Sequence, residues 1–328
     1  MRVATFNANS IRARLNPVCE WVKEHSPDIL CIQETKAQEH QLSDDAFSPN
    51  GYHCFYEDAE KKGYSGTAIY TRHAPKKIIR GYGDPEFDRE GRYLEVQLGG
   101  ISVVSLYLPS GSSGDERQEA KYRCMTSFGE HLRKLRRRRS ETIICGDWNI
   151  VHKEPDIRNW KQNQKNSGCL PEERAWLDKV FGDYGWVDAF RTLEQEPEQY
   201  TWWSNRGRAW DNNVGWRIDY HVVTPGLGDK IEATTPGERD RIVQRLGTNP
   251  VDLFGDCDDE RLLNSLKILD DDPHTDVILV ALYFQVPYLS EYLTERLVEL
   301  RAELTKPIIS IGASSQNDVV IRSPGVAP

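Results

Sequence analysis

The sequence predicts an α/β protein: a sheet-rich α/β domain followed by a small parallel α/β unit. Three observations predict it. Short runs rich in β-branched and aromatic residues, bounded by Gly, Pro or Asn, alternate with runs of helical period as far as about residue 228. From Pro250 the pattern changes to longer helix and strand runs in strict alternation, the signature of a parallel sheet. Between the two, residues 228–247 are charged and carry Pro236 and Gly237, which makes them the natural boundary. The expected division is a domain over 1–228, a linker over 229–246 and a second segment over 247–328.

Taken in order, the first strand is expected at Arg2 to Asn7 and the first helix at Asn16 to His25, where Val18, Trp21 and Val22 share a face. Strands follow at Asp28 to Glu34, Thr67 to Arg72, Tyr93 to Leu98 and Ile101 to Leu108. A long helix is expected over Asp115 to Arg139, then strands at Thr142 to Trp148 and Trp216 to Thr224. In the second segment Asp258 to Leu269 reads as a helix and Val277 to Phe284 as a buried strand. Leu289 to Leu304 is the next helix and Pro307 to Ile311 the last strand.

Composition narrows the class. With 328 residues, 38% apolar and 28% charged, the chain can bury a large core, which excludes disorder, collagen-like repeats and a disulfide-stapled miniprotein. Seven cysteines scattered singly, with no C-x-x-C, fit a reducing cytoplasm and argue against a zinc ribbon. No run of about 18 apolar residues occurs, and the N-terminus has no signal-like apolar core, so a cytoplasmic protein outside the membrane is expected. The net charge of -9 speaks against a nucleic-acid partner until it is divided along the chain. Residues 229–328 carry 18 acidic and 10 basic residues, so nearly all the negative excess lies there. All nine tryptophans, from Trp21 to Trp216, lie in the near-neutral first part.

Four strand ends carry polar groups that packing alone does not require: Asn7, Glu34, the pair Asp147 and Asn149, and Asp219. Strand ends are where α/β proteins collect their sites, and carboxylates so placed can hold a hard cation through oxygen. Magnesium needs only one or two protein carboxylates, and a phosphodiester can complete its shell. A cation there would neutralise a scissile phosphate while a neighbouring carboxylate orients the attacking water, the chemistry of a phosphoesterase. Each residue taken alone is equally a strand-end cap or a turn former.

Taken together the motifs are more specific. FNANSIRARL, DILCIQETK, KKGYSGTAIYTR, SLYLPSG, CGDWNI, NSGCLPEERAW and GWRIDYHVVTP stand in this order. Residues 1–227 resemble the exonuclease III type of abasic-site (AP) endonuclease, within the endonuclease/exonuclease/phosphatase superfamily. The resemblance implies a four-layer αββα sandwich and magnesium-dependent cleavage of double-stranded DNA 5′ to abasic sites, with 3′–5′ exonuclease activity, in base excision repair by a monomer. Mn2+ would serve in place of Mg2+. Residue by residue, it makes Glu34 the metal-binding glutamate, with Asn7 beside it. Tyr107 matches the tyrosine close to the phosphate. Asp147 and Asn149 match the pair that positions water and phosphate, and Asp219 the aspartate that orients a histidine.

The resemblance also implies DNA contacts. Asn163 and Asn166 match phosphate-binding asparagines, and Trp216 matches a wall of the pocket for a flipped-out abasic sugar. Trp202 and Trp203 are read as core. Lys61, Lys62 and Tyr64 of KKGYSG offer cations and backbone amides to phosphates, or form a solvated hairpin. Arg12 lies in the first DNA-facing motif. The basic run Arg133 to Arg139 attracts DNA or complements a helix C-terminus.

Family members close with a strand bearing Ser-Asp-His, and no such triplet occurs in this sequence. The expected sandwich therefore lacks its usual last strand, and the nuclease activity is expected to be impaired. A chain that binds abasic or nicked DNA without cutting it is the alternative. His221, two residues beyond Asp219 and on the same strand face, is the leading substitute for the missing histidine. Residues 247–328 resemble the flavodoxin-like subdomain of NDP-forming acyl-CoA synthetases. No G-x-G-x-x-G or P-loop accompanies them, so no ligase activity is expected.

Overall fold

The computed structural model describes residues 1–43, 47–204 and 208–234, and beyond these only scattered residues between 263 and 313. The chain divides into two compact units, Met1–Arg245 and Leu246–Pro328.

The elements of the first unit run β1 (Val3–Asn7), α1 (Leu15–His25), β2 (Ile29–Gln33), β3 (His53–Glu57), β4 (Thr67–Thr71), β5 (Lys77–Arg80), α2 (Pro85–Asp88), β6 (Tyr93–Gln97) and β7 (Ile101–Tyr107). They continue with α3 (Asp115–Arg136), β8 (Glu141–Asp147), α4 (Trp160–Asn163), α5 (Pro171–Phe181), β9 (Val187–Asp188), α6 (Ala189–Leu193), β10 (Trp202–Trp203), β11 (Gly215–Trp216), β12 (Asp219–Val223) and α7 (Pro225–Gly228). Two main sheets form, one of order β1-β2-β4-β3 and one of order β5-β6-β7-β8-β12-β9, with β10 and β11 as a separate two-stranded ribbon.

Strand period explains how these layers close. Alternate residues of β2 and β4, namely Ile29, Cys31 and Ile69, meet Leu94, Val96, Val103, Ile143, Cys145 and Val223 of the other sheet in one buried cluster. Residues of opposite parity, Leu30, Ile32, Ala68 and Tyr70, pack with Val18 and Val22 of α1. On the far side of the second sheet Val104, Leu106, Ile144 and Val222 pack with Phe128 and Leu132 of α3 and Leu177 and Val180 of α5. The order is therefore helix, sheet, sheet, helix, as expected. Parallel pairing of β7 with β8 brings Leu106 so close to Gly146 that a Cβ at 146 would lie 1.9 Å from the Leu106 carbonyl oxygen. Among the described residues β1 pairs on one side only, with β2, and all five of its residues remain partly exposed.

Three expectations need correction. The strand expected over Trp216 to Thr224 is broken at Arg217 and Ile218 into β11 and β12. Arg217 turns inward, where its guanidinium bonds Asp156 at 2.8 Å and Asp188 at 2.7 Å. The long helix stops at Arg136 rather than Arg139, and Arg138 just past its end reaches Glu95 at 2.6 Å. Trp202 is not core: the residue is 44% exposed on β10, a two-residue ribbon outside both main sheets, and Trp216 meets its ring edge-on. Trp203 is half-buried against Trp210, with its indole N–H donated to Asn213 Oδ1 at 3.0 Å.

In the second unit β13 (Ile278–Tyr283) and β14 (Ile308–Ala313) pair in parallel, Ile278 opposite Ile308. Leu263, Leu266, Leu300 and Leu304 are buried, and the Asp270 carboxylate accepts the Thr305 amide at 2.9 Å. Most of the linker over 229–246, most of both helices expected there, and His274 fall outside the described residues. Among the described residues no helix is long and apolar enough to cross a membrane.

Candidate active site

The two sheets deliver their polar strand ends to one place. β1 ends at Asn7, and Glu34 follows β2 directly. From the second sheet, Tyr107 and Asp219 both lie opposite Asp147 in register, on β7 and β12. Asn7 Nδ2 joins the sheets by donating to Glu34 Oε1 at 2.9 Å and to Asp147 Oδ2 at 3.0 Å. Its Oδ1 accepts the Asn9 amide at 3.0 Å, which fixes which way the amide faces. Asn149 donates its own backbone N–H to Asp147 Oδ1 at 2.8 Å and its side-chain amide to the Leu108 carbonyl at 2.9 Å.

Three site residues hold left-handed backbone: Glu34 with φ 53°, Lys36 with φ 48° and Asn149 with φ 52°. Such conformations cost a non-glycine residue about 1 kcal/mol or more and persist only where the surroundings over-determine them. The surroundings do so here. Glu34 passes its carbonyl to the Ser10 amide at 2.8 Å, and the Lys36 amide is held by the Ser65 carbonyl at 2.9 Å.

The electrostatics follow from burial. Burial alone would push the Glu34 carboxyl up, but the Lys36 ammonium at 2.8 Å, the Asn7 amide and the Tyr107 hydroxyl more than offset it and hold it below the usual carboxylate range. Asp147 is pushed well up by burial and then by the charges of Asp219 and Glu34. Asp219 is also pushed up, first by burial, against a hydrogen bond from Thr201. The site thus gathers three carboxylates whose mutual repulsion a single lysine relieves in part. Its donor set is all oxygen, which fits a hard divalent cation. Among the described residues no three of His, Cys, Asp and Glu cluster tightly enough to cage a metal unaided.

The other expected residues take varied positions. Lys61 lies over the Tyr64 ring at 5.2 Å, in the turn that joins antiparallel β3 and β4, with Lys62 exposed beside it. Arg12 is exposed and reaches the Lys36 carbonyl at 3.4 Å. Asn163 and Asn166 bond each other at 2.9 Å at the end of α4. Trp216 stands against Gly168, where a Cβ would meet its ring and the Asn149 carbonyl oxygen, both at 3.1 Å. In the basic run, Arg133 stacks on Tyr184 and Arg136 donates to the Tyr184 carbonyl, so these two cations anchor the fold. His221 is half-buried opposite Cys145, with its Nε2 atom shielded from solvent and unpartnered among the described residues.

Sequence reasoning missed several members. Thr201 is one: its hydroxyl oxygen accepts the Ile218 and Asp219 amides, each at 3.1 Å. Arg92 is another, buried beneath Tyr107, with its guanidinium 4.6 Å from that ring and donating to the Tyr64 hydroxyl at 2.9 Å. The Tyr64 hydroxyl also takes a bond from Arg117, so the β3–β4 turn is tied to the site by two cations. The only signal for Arg92 was a charged residue entering an apolar strand run.

A buried site of carboxylates, amides and a tyrosine at the ends of two facing sheets defines a phosphoesterase-type metallohydrolase. The chain belongs to the endonuclease/exonuclease/phosphatase family, whose model matches residues 4–239. It is 36% identical over 235 residues to an exodeoxyribonuclease of Bacillus subtilis, covering 71% of this chain and 91% of that one. It is also 36% identical over 248 residues to the DNA repair nuclease APEX1 of Danio rerio, covering 72% and 79%. Among solved structures, an AP endonuclease from Archaeoglobus fulgidus matches with a TM-score of 0.63 and 30% identity, over 70% of this chain and 88% of that chain. These relatives place the chain among the DNA repair nucleases.

Proposed function

We propose that the first unit hydrolyses DNA phosphodiesters 5′ to abasic sites and removes nucleotides from 3′ ends, with Mg2+ as its metal. The observation that carries this is the meeting of Asn7, Glu34, Tyr107, Asp147, Asn149 and Asp219 at one end of two facing sheets. The family is one of divalent-metal-dependent nucleases. Glu34 would hold the ion, which would supply positive charge to the scissile phosphate and the leaving oxygen; Asn7, expected beside it as a ligand, instead gives its oxygen to the Asn9 amide and steers the Glu34 carboxylate through Nδ2. Tyr107 and Asn149 would bind the phosphate oxygens. Asp147, buried and raised by its acidic neighbours, is suited to take or hold the proton of an attacking water. Lys61, Lys62, Tyr64 and Arg12 on one side, and Asn163, Asn166 and Trp216 on the other, supply phosphate and sugar contacts to duplex DNA.

A second reading has its own observation. Among the described residues no histidine is bonded to Asp219, whose side chain is held by Thr201. A chain that lacks the family's terminal histidine would bind abasic or nicked DNA and cut it slowly or not at all. Incubation of a synthetic abasic duplex with the protein and Mg2+, against an EDTA control, tests both. Cleavage 5′ to the lesion supports the nuclease; tight lesion binding with no product supports the second reading.

For residues 247–328, the reading as an acyl-CoA synthetase-like α/β segment rests on sequence resemblance and on the parallel pairing of β13 with β14. Isothermal titration with coenzyme A and with ADP, both expected to show no binding, tests the absence of ligase-type ligands.

A further inference from the structure

Beneath Asn149 lies an ion pair that none of the proposed chemistry uses. Lys121 of α3 and Glu173 of α5 are both 0% exposed, with Nζ 2.6 Å from Oε1. A charge pair removed from water to this extent is costly unless every remaining bond is satisfied, and apolar side chains of the same volume would usually serve stability as well or better. Here the bonds lead to the site. Lys121 Nζ donates to the backbone carbonyl of Asn149 at 2.8 Å. Glu173 Oε1 also accepts Gln118 Nε2 at 3.1 Å. Glu173 Oε2 accepts the amides of Gly168 at 2.7 Å and Leu170 at 3.0 Å. The circle closes where Val151 donates its N–H to the Gly168 carbonyl at 2.7 Å.

One end of this circle is Asn149, on left-handed backbone; the other is the segment that follows Asn163 and Asn166. We propose that the Lys121–Glu173 pair is a positioning device. It fixes the Asn149 backbone through its carbonyl, and with it the bonds that Asn149 gives Asp147 and Leu108, and it sets the loop 163–168 at a constant distance from them. Two phosphate-binding segments are thereby held in register by one buried bond. The proposal rests on the nuclease reading for its substrate, but the geometry it describes is independent of turnover.

The test is a double-mutant cycle with a second, activity-free readout. Lys121→Met/Glu173→Gln removes both charges and keeps the volume; Lys121→Arg keeps the charge and changes the donor geometry. With near-UV circular dichroism unchanged, the paired variant should lower kcat on an abasic duplex by at least ~10-fold and leave KM within about twofold, because misplacement of a positioning group is felt in the transition state. Asn149→Ala should then cost far less in the paired-variant background than in the native chain, since groups acting through one another are not additive. Losses that multiply, or a change confined to KM, would overturn the proposal. Hydrogen exchange at the Asn149 and Val151 amides, which neither replaced side chain touches, is the independent readout. Both should exchange faster in the paired variant and, to a smaller degree, in Lys121→Arg; unchanged exchange in both overturns it as well. If the native chain cuts nothing while exchange responds as expected, the nuclease reading falls and the positioning role stands. If cleavage is normal and exchange and cycle show no coupling, the reverse holds.

Discussion

The ammonium of Lys36 lies 2.8 Å from Oε2 of Glu34, with the backbone left-handed at both residues. One short segment after β2 thus carries the carboxylate proposed to hold the metal and the cation that keeps it ionised in a buried place. Removing the charge at that point gives the most direct test of the metal assignment.

Glu34→Gln keeps the shape and the bond from Asn7 but loses the negative charge. Mg2+ affinity measured by isothermal titration should fall by at least ~10-fold, and any abasic-site cleavage with it, since magnesium takes only one or two protein carboxylates. Equal affinity in both proteins would remove Glu34 from the metal site.

Acid should weaken the fold through His131, which sits among Tyr82, Tyr93 and Phe128 with its pKa lowered to about 4 by burial and by the Arg138 charge. The sign follows from proton uptake. Between pH 6.5 and 4 the unfolded chain binds a proton that the folded chain refuses, so this contribution is fully present above pH 6.5 and is lost as pH falls through that window. The loss is on the order of 3 kcal/mol at its full extent. Half-buried His221 and His152, also lowered by desolvation, act in the same direction. Urea titrations at several pH values should show a shallower acid dependence in His131→Phe than in the native chain; identical slopes would contradict the assignment.

Binding to duplex DNA should be strongly salt-dependent despite a pI near 5.5. The acidic excess belongs to residues 229–328, while Lys61, Lys62 and Arg12 are exposed near the site. Replacing Lys61 and Lys62 by Ala should lower the slope of log Kd against log salt by about 2 and weaken binding to all sequences alike. A slope that does not change would move the DNA path away from the β3–β4 turn.

Replacing residues 231–328 by a family-like terminal strand ending in Ser-Asp-His should raise abasic-site turnover by at least ~100-fold, the scale of a restored acid–base or phosphate-stabilising group. Such a strand would pair with the side of β1 that has no partner among the described residues, extending the sheet that bears Asn7. Steady-state kinetics of both chains decide it. Equal rates would mean that another group, with His221 first in line, already serves.

β3, β5 and β9, each a sheet edge with charged or partly exposed residues, escaped the reading, whereas the β-branched and aromatic runs of the other strands of the two main sheets, and the apolar faces of α1 and α3, were legible. The ion pairs were not. Lys121 and Glu173 stand in sequence as ordinary members of helices rich in charge, and their 0% exposure is decided by how α3 crosses α5. Thr201 could not be read either, since its bond to Asp219 spans a connection of 18 residues with no periodic pattern. Trp202 was misread because nothing in a Trp-Trp pair tells which ring points outward.

The bond from Asn7 to Asp147 spans 140 residues, and Asp219 joins the same cluster only after 72 more. During synthesis, therefore, no shorter nascent chain can assemble the site. Asn7 and Glu34 are made early but wait without their partners until β12 has left the ribosome. A product that ends before β12 would hold Asn7, Glu34, Tyr107 and Asp147 without Asp219, and so would carry the proposed site one carboxylate short.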